Sequence, residues 1–275
     1  MFVFFVLMKE KEKKMKENTD FTLDSFLGGK VILKQKNDGY RATSDAVLLS
    51  AAVRLDGLKG RNFCVLDVGC GTGAVGLCLD RRAKEAGKTL HLTGFELQEE
   101  LLSQCVENAR MNNTDFEAVL GDVLAPPACF KGRLFDYVVT NPPYFMEDPS
   151  CPDKIIGRTR KEQAPLKEWL SFCLKHLRAK GIFTMIHCTS RLPEILSFLN
   201  GKLGNITVLP LVPREKESSK RFILSGVNGS KAPFRLLSPM PLHRDDSSQR
   251  SVEADDVLRN GKALDLSLQT RLKNK

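Results

Sequence analysis

Paired cysteines are missing from this 275-residue chain. Its eight cysteines, at 64, 70, 78, 105, 129, 151, 173 and 188, form no C-x-x-C pair. Zinc sites need clustered ligands, and disulfide frameworks need an oxidising compartment. Several of the thiols sit inside apolar runs, Cys64 in "NFCVLDV" among them. They read as reduced and mostly buried in a cytoplasmic protein. His91, His176, His187 and His243 show no metal spacing either, so no metal is expected.

Long apolar runs are also missing. The longest opening run, "MFVFFVLM", spans eight residues, against about 20 needed to cross a bilayer. A signal peptide would place its positive charge before the apolar stretch and a small-residue cleavage site after it. Here "KEKEKKMKEN" follows instead. Residues 1–17 read as a disordered leader, with Met8 or Met15 as alternative initiators, and no stable membrane association is expected. Acidic excess is absent too. The net charge of +9 and pI near 9.1 favour a polyanionic partner such as nucleic acid.

What is present is a rhythm of strands and helices. "GYRATSDAVLLSAAV" reads as a loop feeding a helix, with Thr43 or Ser44 as cap and Asp45 at the positive end. "NFCVLDVGCGTGAVGLCLDRRAKEAG" reads as buried strand, glycine turn and amphipathic helix. Strands follow at "LHLTGFEL", "FEAVLGDV" and "LFDYVVT", with a helix over "QEELLSQCVENARMNN". "LKEWLSFCLKHLRAKG" reads as a helix stopped by its glycine, and "GIFTMIHC" as the next strand. "RLPEILSFLNGKLG" is a helix with Pro193 in its first turn. "NITVLPLV" and "KRFILSGV" are joined by only "PREKESS", too short for a helical crossover, so they pair antiparallel. A short helix is expected near "VEADDVLRNG".

This pattern predicts an α/β fold, a mostly parallel seven-stranded sheet with an antiparallel last strand and helices on both faces. Residues 18–60 are expected to pack over a ligand pocket, 61–228 to form the core, and 229–275 to extend it.

Parallel sheets bind ligands beyond the carboxyl ends of their strands. Asp67 ends the first strand there, and Gly69, Gly71 and Gly73 follow. Glycines let the backbone bend and approach a ligand closely. Glu96 and Asp122 end the next two strands. One such acid is an ordinary cap or loop acid, whereas three at one edge suit a nucleoside. The turn lacks the full dinucleotide spacing and the Gly-Lys-Ser/Thr of a phosphate loop.

"D-x-G-x-G-x-G" followed by these acids resembles the class I S-adenosylmethionine-dependent methyltransferases, whose fold is Rossmann-like. The resemblance implies S-adenosylmethionine as cofactor. It places methionine and ribose along Asp67–Gly73, the ribose on Glu96 and the adenine on Asp122. The fourth strand ends in Asn141-Pro142-Pro143-Tyr144, which resembles the motif of methyltransferases acting on a planar exocyclic or amide nitrogen. Such a nitrogen is a poor nucleophile, because its lone pair is delocalised. The Asn141 side-chain oxygen and the Pro142 carbonyl can accept its N–H groups and stabilise developing charge. The prolines fix φ and hold Asn141 extended. Tyr144 offers a stacking face, extended by Phe145.

With "GYRATSDAVLLSAA" and "IIGRTRKEQAPL", "NPPYF" resembles the bacterial N6-adenine methyltransferases that modify a valine tRNA beside its anticodon, over roughly residues 25–240. By that resemblance Thr43 and Asp45 lie near the methionine end of the cofactor, and Arg158, Arg160 and Lys161 meet the RNA backbone. An anticodon-loop base is cheaply unstacked for such an enzyme. Glutamine methylation of translation release factors uses the same turn and is the alternative. Those enzymes carry a helical domain ahead of the glycine strand, where this chain has only about 60 residues. A methyltransferase fold that binds RNA without catalysis is the third reading.

Overall fold

A computed structural model of the chain describes residues 20–55, 63–143 and 164–266. Its centre is a nine-stranded sheet. The seven long strands are β3 (Phe63–Val68), β4 (Leu90–Glu96), β5 (Phe116–Leu120), β6 (Phe135–Thr140), β7 (Leu177–Cys188), β8 (Leu203–Val212) and β9 (Arg221–Asn228). They run in the order β8-β9-β7-β6-β3-β4-β5. All pairings among β3 to β7 are parallel, and β9 is antiparallel to both β7 and β8. This is the sheet expected from the sequence. Two two-residue strands, β10 (Arg235–Leu236) and β11 (Met240–Pro241), extend it beside β8.

Side chains alternate between the faces, as a pleated strand requires. Val65, Tyr137, Val139 and Ile223 join one core, with helices α1 (Ser44–Ala52), α2 (Ala74–Glu85) and α6 (Val252–Asn260). Leu66, Val68, Val138, Phe222 and Leu224 join the other, with α4 (Leu166–Lys175) and α5 (Leu192–Leu199). Each fully buried side chain of this size contributes roughly 1.5–3 kcal/mol. The chain runs β3, β4, β5 towards one edge, then returns to place β6 on the other side of β3. The ends of β3 and β6 therefore bound the crevice where a strand order reverses.

Ahead of the sheet lies a hairpin, β1 (Phe21–Phe26) with β2 (Val31–Lys36), turned at Gly28-Gly29. The outer edge of β2 is paired by side chains. On α3 (Glu99–Met111), Asn108 accepts from Lys34 N at 2.8 Å and donates to Lys34 O at 3.2 Å. One turn on, Asn112 accepts from Ile32 N at 3.0 Å and donates to Ile32 O at 2.7 Å. Two amides four residues apart thus stand in for a neighbouring strand, which satisfies an exposed edge.

The C-terminal extension packs on the α1 face. Ser251 Oγ caps α6 by accepting from Ala254 N at 3.1 Å, and Leu264 N donates to Ala51 O at 2.8 Å. Two local readings need correction. The helix expected to run to Gly181 ends at Lys175, and β7 already begins at Leu177. Gly181 lies in a bulge of that strand, where a Cβ would sit 2.8 Å from Arg178 O. Cys64, Cys70, Cys78, Cys105, Cys129 and Cys173 are free, as expected, but Cys188 is disulfide-bonded.

Candidate active site

The glycine turn follows β3 directly. Gly69, Gly71 and Gly73 have φ of 71°, 53° and 87°, which L side chains rarely adopt. Gly69 N donates to Phe95 O at 2.8 Å, tying the turn to the end of β4. Helix α2 then opens at Ala74.

Asp67 is buried beneath this turn. Its Oδ2 accepts from Gly76 N at 3.2 Å, at the positive end of α2, while Oδ1 has no partner among the described residues. Burial raises its pKa to about 7; the Gly76 N–H opposes this and the nearby Glu96 adds to it. Glu96 itself is pinned. One carboxylate oxygen accepts from Gly71 N at 3.0 Å, and the other from Leu97 N and Gln98 N at 2.9 Å each.

Asp122 stands two residues beyond the end of β5, in a turn where its Oδ1 accepts from Leu124 N at 2.9 Å. The neighbouring Gly121 N donates to Glu96 O at 2.9 Å. The three acids therefore do share one edge of the sheet.

Asn141 is placed by register. Val68 pairs with Thr140 in the parallel β3–β6 ladder, so Asn141 emerges beside Gly69. Pro142 is buried and Pro143 half-buried. Tyr144, Phe145, Arg158, Arg160 and Lys161 lie outside the described residues.

Thr43 caps α1 and its hydroxyl accepts from Asp45 N at 3.4 Å. Asp45 is 1% exposed and ion-paired with Arg221 at the start of β9. Since β9 runs antiparallel to β7, Arg221 also belongs to the carboxyl edge. His187, at the end of β7, is pushed down to about 4 by burial and by Arg191, and its Nδ1 accepts from Cys188 N at 2.8 Å. It is neutral at pH 7.

Two aromatic residues escaped the reading of the sequence. A Cβ on Gly71 would lie 2.7 Å from the Tyr40 ring, and one on Gly69 would lie 2.8 Å from the Trp169 ring. The two rings thus bracket the glycine turn from separate segments. Tyr40 is 45% exposed and precedes α1 within "GYRATSD". Its place inside the "GYRATSDAVLLSAA" segment was the available signal, whereas Trp169 reads from sequence only as an apolar position of α4.

Elsewhere, a hollow of about 360 Å³ opens at the amino ends of β3 to β6, lined by His91, Thr93, Glu117 and Arg133. Glu117 and Arg133 there pair with each other, which lowers the Glu117 pKa. This hollow is at the opposite edge from Asn141. Among the described residues no group of three or more His, Cys, Asp or Glu is set to hold a metal, and no helix is long and apolar enough to cross a membrane.

Residues 59–213, more than half of the chain, match the family model of the methyltransferase domain. A tRNA1(Val) (adenine(37)-N6)-methyltransferase from Bacteroides thetaiotaomicron is 32% identical over 146 residues, 52% of this chain and 57% of that protein. The enzyme of the same name from Shewanella amazonensis is 28% identical over 158 residues, 54% of this chain and 60% of that protein. The aligned part thus spans less than two thirds of the length of these relatives. In structure, the chain resembles a predicted O-methyltransferase from Agrobacterium tumefaciens, with TM-score 0.63 at 21% identity, covering 80% of this chain and 97% of that one. It also resembles a type I restriction-modification methyltransferase subunit from Streptococcus thermophilus, with TM-score 0.51 at 18% identity, covering 76% of this chain and 46% of that one. These likenesses define the fold.

Proposed function

Because the chain belongs to the methyltransferase domain family, we propose that it methylates the exocyclic N6 of an adenine in tRNA, with S-adenosylmethionine as donor and an anticodon-loop adenosine of valine tRNA as target. One observation carries this reading. The β3–β6 register brings Asn141 beside Gly69, so a residue whose amide oxygen can accept from a planar amino nitrogen stands next to the turn that would hold the donor.

The residues present fit that donor. The buried Asp67 Oδ1 lacks a partner among the described residues, and the positive φ of Gly69, Gly71 and Gly73 keeps the turn tight and free of side chains at those positions. A bound cation favours the ionised form of Asp67, which burial alone disfavours. In this reading Glu96 takes the ribose hydroxyls and Asp122 the adenine amino group. Residues 18–60 cover the pocket, with Thr43 and Asp45 towards the methionine end; Tyr40 packed against Gly71 supports that placement. The donor supplies an electrophilic methyl group, and the protein's task is orientation. Asn141 Oδ1 and the Pro142 carbonyl each accept an N–H from the target nitrogen, which turns its lone pair towards the methyl and stabilises the positive charge that develops there. No strong base is needed.

Charge distribution supports an RNA target. Residues 63–143 carry eleven acidic and seven basic residues, whereas residues 164–266 carry sixteen basic and ten acidic. A cationic donor suits the first half and a polyanion the second. Arg158, Arg160 and Lys161 remain part of the proposed RNA contact. The test supplies labelled methyl donor with bulk tRNA and, separately, with purified release factor. Label in tRNA is the expected result. Label confined to the protein substrate contradicts this reading in favour of glutamine methylation, and no label on either contradicts it in favour of a non-catalytic role.

A further inference from the structure

Trp169 is the single tryptophan of the chain and stands in the first turn of α4. It makes two contacts that point to the same place. Its ring edge meets the glycine turn: a Cβ on Gly69 would lie 2.8 Å from Cζ2 and 2.9 Å from Cη2. Its indole Nε1–H donates to Thr140 Oγ1 at 2.9 Å. That hydroxyl in turn donates to Val68 O at 2.8 Å and is fully buried. Val68 is the residue before Gly69, and Thr140 is the residue before Asn141. One hydroxyl therefore joins the last residue of β3, the last residue of β6 and a side chain from α4.

A tryptophan kept only for packing would need some partner for its N–H, but any buried acceptor would serve. Here the acceptor is the residue that leads into the asparagine, and the ring rests on the residue that opens the glycine turn. The β3–β6 ladder ends at the Val68–Thr140 pair, and the two prolines that follow Asn141 have no N–H with which to extend it.

We propose that Trp169 is a positioning residue for methyl transfer: through the Thr140 hydroxyl it holds Asn141 at a fixed place relative to the glycine turn. This rests on the role given to Asn141 above. Removing the indole N–H leaves the Thr140 hydroxyl bonded to Val68 but no longer braced from α4, so the start of the Asn-Pro-Pro turn can shift. A shift of about 1 Å at a reacting centre costs on the order of 10²-fold in rate.

The test uses the full chain with Trp169→Phe, Thr140→Val and the double variant, measuring kcat and KM for donor and for tRNA. Each single variant is expected to lose about 10- to 100-fold in kcat with KM for the donor within about two-fold. The double variant is expected to be no slower than Thr140→Val alone, because that change already removes the bond that Trp169→Phe removes. A Trp169→Phe enzyme with unchanged kcat, or a loss seen in KM alone, overturns the proposal. A second readout needs no activity. S-adenosylhomocysteine is titrated against the wild-type chain and Thr140→Val, with binding followed by calorimetry and by indole emission. The expected result is a saturable emission change in the wild type, and the same half-saturation with an altered emission in the variant. Binding with no emission change in the wild type overturns the contact with the turn. A wild-type chain that shows the emission change yet methylates no tRNA overturns the functional reading of the previous section instead.

Discussion

The Glu96 carboxylate accepts a hydrogen bond from Gly71 N at 3.0 Å, which joins the end of β4 to the middle of the glycine turn. With the Leu97 and Gln98 N–H groups on its other oxygen, the acid that would hold the ribose also holds the loop that would pass it. A glutamine here would turn an NH2 group towards backbone donors. Glu96→Gln is therefore expected to weaken donor binding by about ten- to a hundred-fold, from the roughly 1.5–3 kcal/mol of a charge-assisted bond. Calorimetric titration checks this, and an unchanged affinity would separate Glu96 from the binding site.

Asp67 makes donor binding and stability depend on pH in opposite directions. Its pKa is raised from 3.8 to about 7, chiefly by burial. Between those values the folded chain holds more protons than the unfolded one, so ligand-free stability falls as pH rises through that window. A cationic donor favours the ionised carboxylate, so donor affinity is expected to rise from pH 6 to pH 8 with release of a proton. Asp67→Asn should flatten both profiles. Titrations in buffers of different ionisation enthalpy count the proton, and a pH-independent wild-type affinity would remove Asp67 from the account.

Asn108 ties the hairpin to the cofactor turn as well as to α3, since its Nδ2 also donates to Thr72 O at 3.0 Å. The side chain is fully buried. Asn108→Ala would strand the Lys34 N–H and two carbonyl groups, and is expected to cost about 1–3 kcal/mol. The urea midpoint should fall, and donor affinity with it. A midpoint that holds would show that the edge of β2 finds other partners.

Much of this was legible because the elements are short and their punctuation is strong. Strand β3 reads from six largely apolar residues bounded by glycines, and β6 from a run stopped by Asn-Pro-Pro. The antiparallel β8–β9 pair followed from the length of its connection alone. The β1–β2 hairpin was missed although "VILKQK" alternates buried and half-buried positions and Gly28-Gly29 marks its turn. The start of β7 was missed because Leu177–Lys180 are ordinary helix formers, and tertiary pairing with Phe135 overrides that preference. Tyr40 lies in a segment that the sequence singles out, but neither its contact with the glycine turn nor that of Trp169 is legible there. Their meeting with Gly71 and Gly69 depends on the packing of segments 31 and 100 residues away along the chain.

In the proposed reaction Asn141 turns an adenine N6 towards a methyl donor held by the glycine turn. The most direct measurement incubates wild-type and Asn141→Ala chains with labelled S-adenosylmethionine and bulk tRNA, then digests the RNA to nucleosides. Label in N6-methyladenosine is expected for the wild type, and a loss of about 10²–10³-fold in turnover for the variant, with donor affinity little changed. Label in any other nucleoside, or a variant that turns over like the wild type, would contradict the proposed reaction.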